Sequence, residues 1–240
     1  GQPVPMQRAL CETVAGFDQP GVADLLLDRW SQMTPSVRRS TIETLLSRPA
    51  WISRLLDAVA AKSVSPGDVD RSRIEWLLTQ SDETTVARLR QLFPADRRVA
   101  RESIIATFRS ALNATGDAVR GRKIYQRVCA ACHKRGEVGK AIGPPLNDTS
   151  RRSAETLLID ILDPNRQLKP LFQNYVLQTI DGRVYTGMIS EETSNAVTLQ
   201  QADGTTRVVL RLQIEKLQST GVSFMPEGLE KSINQQAMAD

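Results

Sequence analysis

The sequence predicts a mainly α-helical chain in two domains, with a small antiparallel β-barrel or sheet inserted in the second. Apolar residues recur at helical spacing up to residue 112 and again from 117 to 162. Between about 174 and 218 the period falls to two, with turn dipeptides at short intervals. A polar stretch, Asn113 to Gly116, separates the halves, which sets the expected domains at 1–112 and 113–240. A chain of 240 residues has ample length for two cores.

The first half reads as one short helix after another. Thr34 is an N-cap with Pro35 at the first helical position, and Val37, Thr41, Ile42, Leu45 and Leu46 share a face. Pro49 breaks that helix. Ile52, Leu55, Leu56 and Val59 then fall at i, i+3, i+4 and i+7. Asp82 caps a helix bearing Val86, Leu89, Leu92 and Phe93, and another carries Ile104, Ile105, Phe108 and Leu112. The segment 34–39 has an echo at 83–88, so the helices resemble HEAT-type repeats, although a plain helical bundle satisfies the same pattern.

In the second half Asp117 caps a helix through Val119, Gly121, Ile124, Tyr125 and Val128 that runs into Cys129. A loop from Arg135 to Asp148 follows, centred on Gly143, Pro144 and Pro145. Ser153 starts a helix that stops at Asp163 and Pro164. Strands are expected at 175–180, 183–190, 196–201, 205–210 and 214–218. Asp181-Gly182 and Asp203-Gly204 are the hairpin signals between them. The chain ends on a helix with Leu229, Ile233 and Met238.

Charge excludes one class of partner. The net +4 divides into 15 Lys+Arg against 13 Asp+Glu in 1–112, and 16 against 14 in 113–240. Both signs are interspersed, whereas a nucleic-acid stripe needs clustered cations, so no nucleic-acid partner is expected. No run of eighteen apolar residues occurs, so no transmembrane segment is expected, and no signal peptide is visible.

The chemistry lies in three cysteines and one histidine. Cys129, Cys132 and His133 have the attachment spacing of a c-type haem. Two thiols one helical turn apart can each add across a haem vinyl group, and the next residue presents imidazole to the iron. A zinc site falls short of four ligands. A thioredoxin-like dithiol would need a βαβ setting, and this motif ends a helix. The expected cofactor is one covalent haem c. Cys11 is expected to be a small buried residue.

With His133 as proximal ligand no second imidazole remains, so the sixth position falls to methionine, a weaker ligand, or none. Met6 and Met33 lie in the helical half, Met188 sits in a strand, and Met238 reads as a packing residue. Met225 lies in an irregular stretch stiffened by Pro226 and is the favoured ligand, thioether being the common mate of histidine in electron-transfer cytochromes.

Residues 117–240 resemble the class I cytochrome c fold, and more narrowly the planctomycete and verrucomicrobial haem-binding domain. The matching pieces are 121–125 (GRKIY), 129–133 (CAACH), 143–146 (GPPL), 161–165 (ILDPN), 181–184 (DGRV) and 224–229 (FMPEGL). In that family the domain lies at the C-terminal end of large membrane-associated dehydrogenases, after HEAT-like repeats. The resemblance implies that the Pro144 carbonyl accepts a hydrogen bond from His133 and that Tyr125 and Leu146 pack by the haem. It also implies Met225 as distal ligand and Gly121 as the point where the first and last helices cross. The family pattern continues beyond Gln236–Asp240, so that crossing is expected to be abbreviated.

The expected function is electron transfer by one His/Met haem, receiving electrons from a fused dehydrogenase or a docked redox partner protein. No catalytic constellation is visible, so the chain is expected not to be an enzyme. A gas sensor or peroxidase-like protein with an open sixth site, and an interaction scaffold, are the alternatives. Thioether attachment normally takes place outside the cytoplasmic membrane, so a periplasmic or equivalent location is expected, with the true N-terminus upstream.

Overall fold

The computed structural model describes residues 2–17, 19, 21–94 and 96–240, the side chains at 96–98 and 150 excepted. Among them are ten α-helices and one five-stranded sheet. The chain divides into two compact units. The first comprises 1–94, 173–199 and 206–222, and the second 95–172, 200–205 and 223–240.

Helices α1 (Val4–Val14), α2 (Gly21–Asp28), α3 (Pro35–Leu45), α4 (Pro49–Ala60), α5 (Arg71–Gln80) and α6 (Glu83–Leu92) form the helical part of the first unit. Sequence sets their starts: the Thr34 hydroxyl accepts from Val37 N–H, and the Asp70 and Asp82 carboxylates accept from Ser72 and Thr85 N–H. Their apolar faces merge in one core that includes Leu45, Trp51, Leu55, Leu56, Leu77 and Leu89. Cys11 is buried in it, with its sulfur 3.4 Å from the Thr41 hydroxyl.

The sheet comprises β1 (Gln173–Thr179), β2 (Val184–Glu192), β3 (Ala196–Gln200), β4 (Thr206–Leu210) and β5 (Ile214–Ser223), in the order β4-β3-β2-β1-β5. β1 and β2 pair antiparallel, Tyr175 opposite Gly187 and Leu177 opposite Tyr185. Alternate residues Tyr175, Leu177, Val197, Leu199, Val209 and Leu217 form its buried face. It is an open sheet, which corrects the expectation of a barrel. β5 adds beside β1 and leaves β4 at the other edge, so the two ends do not pair. The 3₁₀ turn Arg211–Gln213 carries the chain from one edge to the other, which requires a strong curl.

The units also divide differently from the expected 1–112 and 113–240. The strands belong with helices α1 to α6, to which polar contacts tie them. The Glu192 carboxylate accepts from Ser36 N–H at 3.1 Å, and Arg38 Nη1 donates to the Leu217 carbonyl at 2.6 Å. Helix α7 (Asp96–Phe108) belongs to the second unit, because its Ile105 and Phe108 bury against Leu158 and Leu162 of α9 (Ala154–Leu162). Periodicity reports that a face is apolar and not which partner covers it. In the helical part α1 packs on α3, α2 on α4 and α4 on α6; a HEAT period is not established by that packing.

The first unit carries a half-buried carboxyl, Asp68, whose Oδ2 is fully covered. Burial pushes Asp68 up to about 6, outweighing the attraction of Arg38. The unfolded chain ionises it near pH ~4, so ionised Asp68 weakens the folded state fully above pH 6 and not at all below ~4. Asp68→Asn is expected to raise stability by about 1–3 kcal/mol at about pH 7.5 and by less than about 0.5 kcal/mol at about pH 4. Urea unfolding at the two pH values checks this.

Candidate functional site

The site begins at α8 (Ala118–Ile124) in the second unit. The Asp117 carboxylate caps it, accepting from Val119 and Arg120 N–H at 2.8 and 2.9 Å, and these bonds hold the carboxyl below its ordinary range. The helix then widens into a π turn, Tyr125–Cys129, closed by Ala130 N–H to the Tyr125 carbonyl at 2.9 Å. Such single π turns concentrate at functional sites. The Cys129 carbonyl next accepts from both Cys132 N–H (3.1 Å) and His133 N–H (2.9 Å). One tight turn therefore carries both thiols and the imidazole.

The following loop is bonded back onto that turn. Lys140 N–H reaches the Ala130 carbonyl at 3.0 Å, and Ile142 and Gly143 N–H share the Cys132 carbonyl at 3.0 and 2.7 Å. Leu146 N–H reaches the Lys134 carbonyl at 2.9 Å. Held on both sides, the Pro144 carbonyl lies 2.8 Å from His133 Nδ1. Nδ1 carries the proton to donate there, which leaves Nε2 with its lone pair free. The Tyr125 hydroxyl lies 2.6 Å from the His133 carbonyl and 2.9 Å from that of Val138, bracing the loop from inside.

Two glycines make this fit. Gly139 has φ +92°, and a Cβ there would lie 2.1 Å from the His133 carbonyl oxygen. A Cβ on Gly143 would lie 2.7 Å from His133 Cε1. Sequence reasoning placed Gly143 at the centre of the loop but gave neither glycine a role. The available signal was only that the loop is glycine-containing.

The thiols are free and half-buried. Burial, with a smaller contribution from neighbouring Cys132, pushes the Cys129 thiol up. A redox dithiol requires a depressed thiol, so the environment opposes that reading. Among the described residues no three His, Cys, Asp or Glu side chains gather as a metal site.

Met225 lies half-buried on the segment after β5. Its backbone is clamped on both sides. Asn165 Oδ1 accepts from Ser223 N–H at 2.6 Å, while Asn165 Nδ2 donates to the Glu227 carboxylate. Phe224 N–H reaches the Phe172 carbonyl at 2.8 Å. Arg101 lies 4.0 Å from Glu227, pairs with Glu230 at 3.1 Å and donates to the Leu162 carbonyl. Asn165 and Glu227 stand inside motifs already quoted, but sequence gave no reason to join them, and Arg101 was not singled out. At the far end Gly121 meets α10 (Gln235–Ala239) and its successor: a Cβ on Gly121 would lie 2.0 Å from the Asp240 carbonyl oxygen. The Asp240 carboxylate accepts from Arg120 Nε at 2.7 Å and from Asp117 N–H, and falls well below the ordinary carboxylate range.

These residues fit a haem. Two thiols and an imidazole with one uncommitted nitrogen are the required donors. Ile124, Val128, Leu146, Phe224 and Met225 are all half-buried, and none belongs to the buried cluster of this unit, Ile105, Phe108, Leu158 and Leu162. Each therefore carries apolar surface outside the buried core of this unit.

Comparison with known proteins agrees. The family model for cytochrome c oxidase, cbb3-type, subunit III matches residues 116–177, from the start of α8 into β1. No curated protein matches the chain. The match marks a cytochrome-type segment and points to haem c binding, haem-based electron transfer and a redox partner. No helix among the described residues is long and apolar enough to cross a membrane.

The two loop glycines give a paired prediction. Gly136 (φ +57°) has nothing within 4 Å of a built Cβ, so Gly136→Ala is expected to cost about 1 kcal/mol of strain. Gly139→Ala adds a backbone collision and is expected to cost at least about 3 kcal/mol. Equal urea midpoints for the two variants would contradict the packing described.

Proposed function

We propose that this chain is an electron-transfer module carrying a single haem c, joined through Cys129 and Cys132 and ligated by His133 and Met225. One observation carries the reading: the only histidine has its Nδ1 committed to a fixed carbonyl, directly after two cysteines that are free of disulfides and at thioether spacing. When bound, the haem would supply reversible one-electron exchange at iron.

The residues divide the work. Cys129 and Cys132 would hold the macrocycle, and the Pro144 carbonyl would keep the His133 ring oriented and its Nε2 basic. Tyr125 keeps the loop closed through its hydroxyl. Leu146, with Ile124 and Val128, would cover the group and keep water from it. Met225 is favoured as distal ligand by its surroundings. Met33 and Met188 are buried in the first unit, Met6 is exposed on α1, and Met238 packs on the buried cluster of the second. The clamp through Asn165 fixes the Met225 backbone, which suits a ligand that must hold in both oxidation states.

We assign the chain no reaction of its own. Its partners would be a fused dehydrogenase or a docked redox protein, with the helical first unit as a HEAT-like support. Thioether attachment favours a location outside the cytoplasmic membrane.

The oxidised holoprotein is expected to show the methionine-to-iron charge-transfer band. Met225→Ala should abolish it and lower the reduction potential, while Met238→Ala should keep both. A native spectrum without the band would favour an open-site sensor or peroxidase-like protein. Survival of the band in Met225→Ala would move the ligand elsewhere.

A further inference from the structure

The first unit contains a cavity of about 530 Å³, unrelated to the haem motif in its residues. It is open to solvent, and the 3₁₀ turn Trp30–Gln32, Arg38 of α3, the segment after α4, the 3₁₀ turn Pro66–Asp68 and the 211–218 segment line it. Its volume lies in the range of small-molecule sites. Four cations, Arg38, Lys62, Arg211 and Lys216, line it against two carboxylates, Asp68 and Glu215.

The charges are poorly compensated. Arg38 is buried, and its hydrogen bonds go to neutral carbonyls: Nε to Trp30 at 3.2 Å and Nη1 to Leu217 at 2.6 Å. Asp68 is the carboxylate it feels, and Arg211 repels it. Arg211 donates through Nη2 to the Gln32 carbonyl at 2.9 Å, but its Nη1 is buried without a partner. Asp68 Oδ2 is likewise buried without one. Glu215 is taken up by Gln178 Nε2 at 2.9 Å. A buried donor and a buried acceptor, both orphaned and both on the wall of one cavity, call for an explanation that packing does not give.

The wall is also held in place. A Cβ on Gly67 would lie 2.3 Å from Gly221 N, so the Asp68 turn sits directly against the β5 backbone. Ser65 Oγ donates to the Ser219 carbonyl at 3.0 Å, and Gln173 Nε2 to the Gly67 carbonyl at 2.7 Å. These contacts fix the backbone on either side of Asp68. Lys62, on the same wall, has φ +61° and is the only non-glycine residue with positive φ among the described residues. Lys62 N–H to Val59 and Ser63 N–H to Ala58 make this the left-handed cap that ends α4, which fixes the backbone from which the Lys62 side chain leaves.

We propose that this cavity binds a small hydroxylated organic anion, its oxyanion drawn to Arg211 and Lys62 and a hydroxyl donating to Asp68. The excess of cations selects an anion. The same excess disfavours an ammonium as the donor to Asp68, which leaves a neutral hydroxyl. A sugar acid has this combination at a size the cavity accepts.

Isothermal titration of the intact chain tests it with three probes: gluconate, sorbitol (hydroxyls without charge) and butyrate (charge without hydroxyls). Gluconate is expected to bind saturably, and both controls at least about tenfold more weakly. Arg211→Gln should weaken gluconate by about tenfold or more. Asp68→Ala, which removes an orphaned buried charge and so should fold, is expected to bring gluconate down to the level of butyrate. No saturable heat up to about 10 mM gluconate, equal affinity for a control, or wild-type curves in both variants would overturn the proposal. None of these readouts depends on haem.

Discussion

The geometry of the loop that follows Cys129, Cys132 and His133 depends on the hydrogen bond between His133 Nδ1 and the Pro144 carbonyl. The chain has one histidine, so this contact alone decides which ring nitrogen faces outward and in which direction. It is not a local bond. The carbonyl is placed by amides on either side of it, Gly143 to Cys132 and Leu146 to Lys134, and the histidine backbone is placed by Cys129 and Tyr125. The orientation of the imidazole is thereby set by a closed circuit of backbone bonds between residues 129 and 146. Glycines at 139 and 143 are conditions of that circuit, because the backbone and ring lie where their side chains would be.

A second circuit of a different kind holds Met225. Here side chains do the work: Asn165 bridges residues 223 and 227, and Arg101 links Glu227 and Glu230 to the end of α9. The ion pairs are shielded, Arg101 and Glu230 being only 14% and 11% exposed, so they are worth more than surface pairs. One segment is fixed by backbone bonds and the other by a polar cluster.

Much of this was legible in the sequence, and the division is physical. Local features read correctly: Thr34, Asp82, Asp117 and Ser153 cap helices where expected, and the five strands begin within two residues of their expected positions. Capping and alternation are near-neighbour properties, which sequence carries directly. Assignments that depend on partners did not read. Strands 173–222 share a unit with the N-terminal helices, and α7 with the haem-motif helices, since an apolar face accepts either. The sheet is open because β5 chose β1 as neighbour, which no strand pattern encodes. The contacts of Gly139, Arg101 and Asn165 escaped notice for the same reason. Their importance lies in what they touch.

The central claim is that Cys129 and Cys132 are the attachment points of one haem. Mass spectrometry of the matured protein, intact and after proteolysis, tests it most directly. The account predicts a mass increase of a single haem, located on the peptide that spans residues 129–133. A matured protein of unmodified chain mass, with both thiols still open to alkylation, would contradict it.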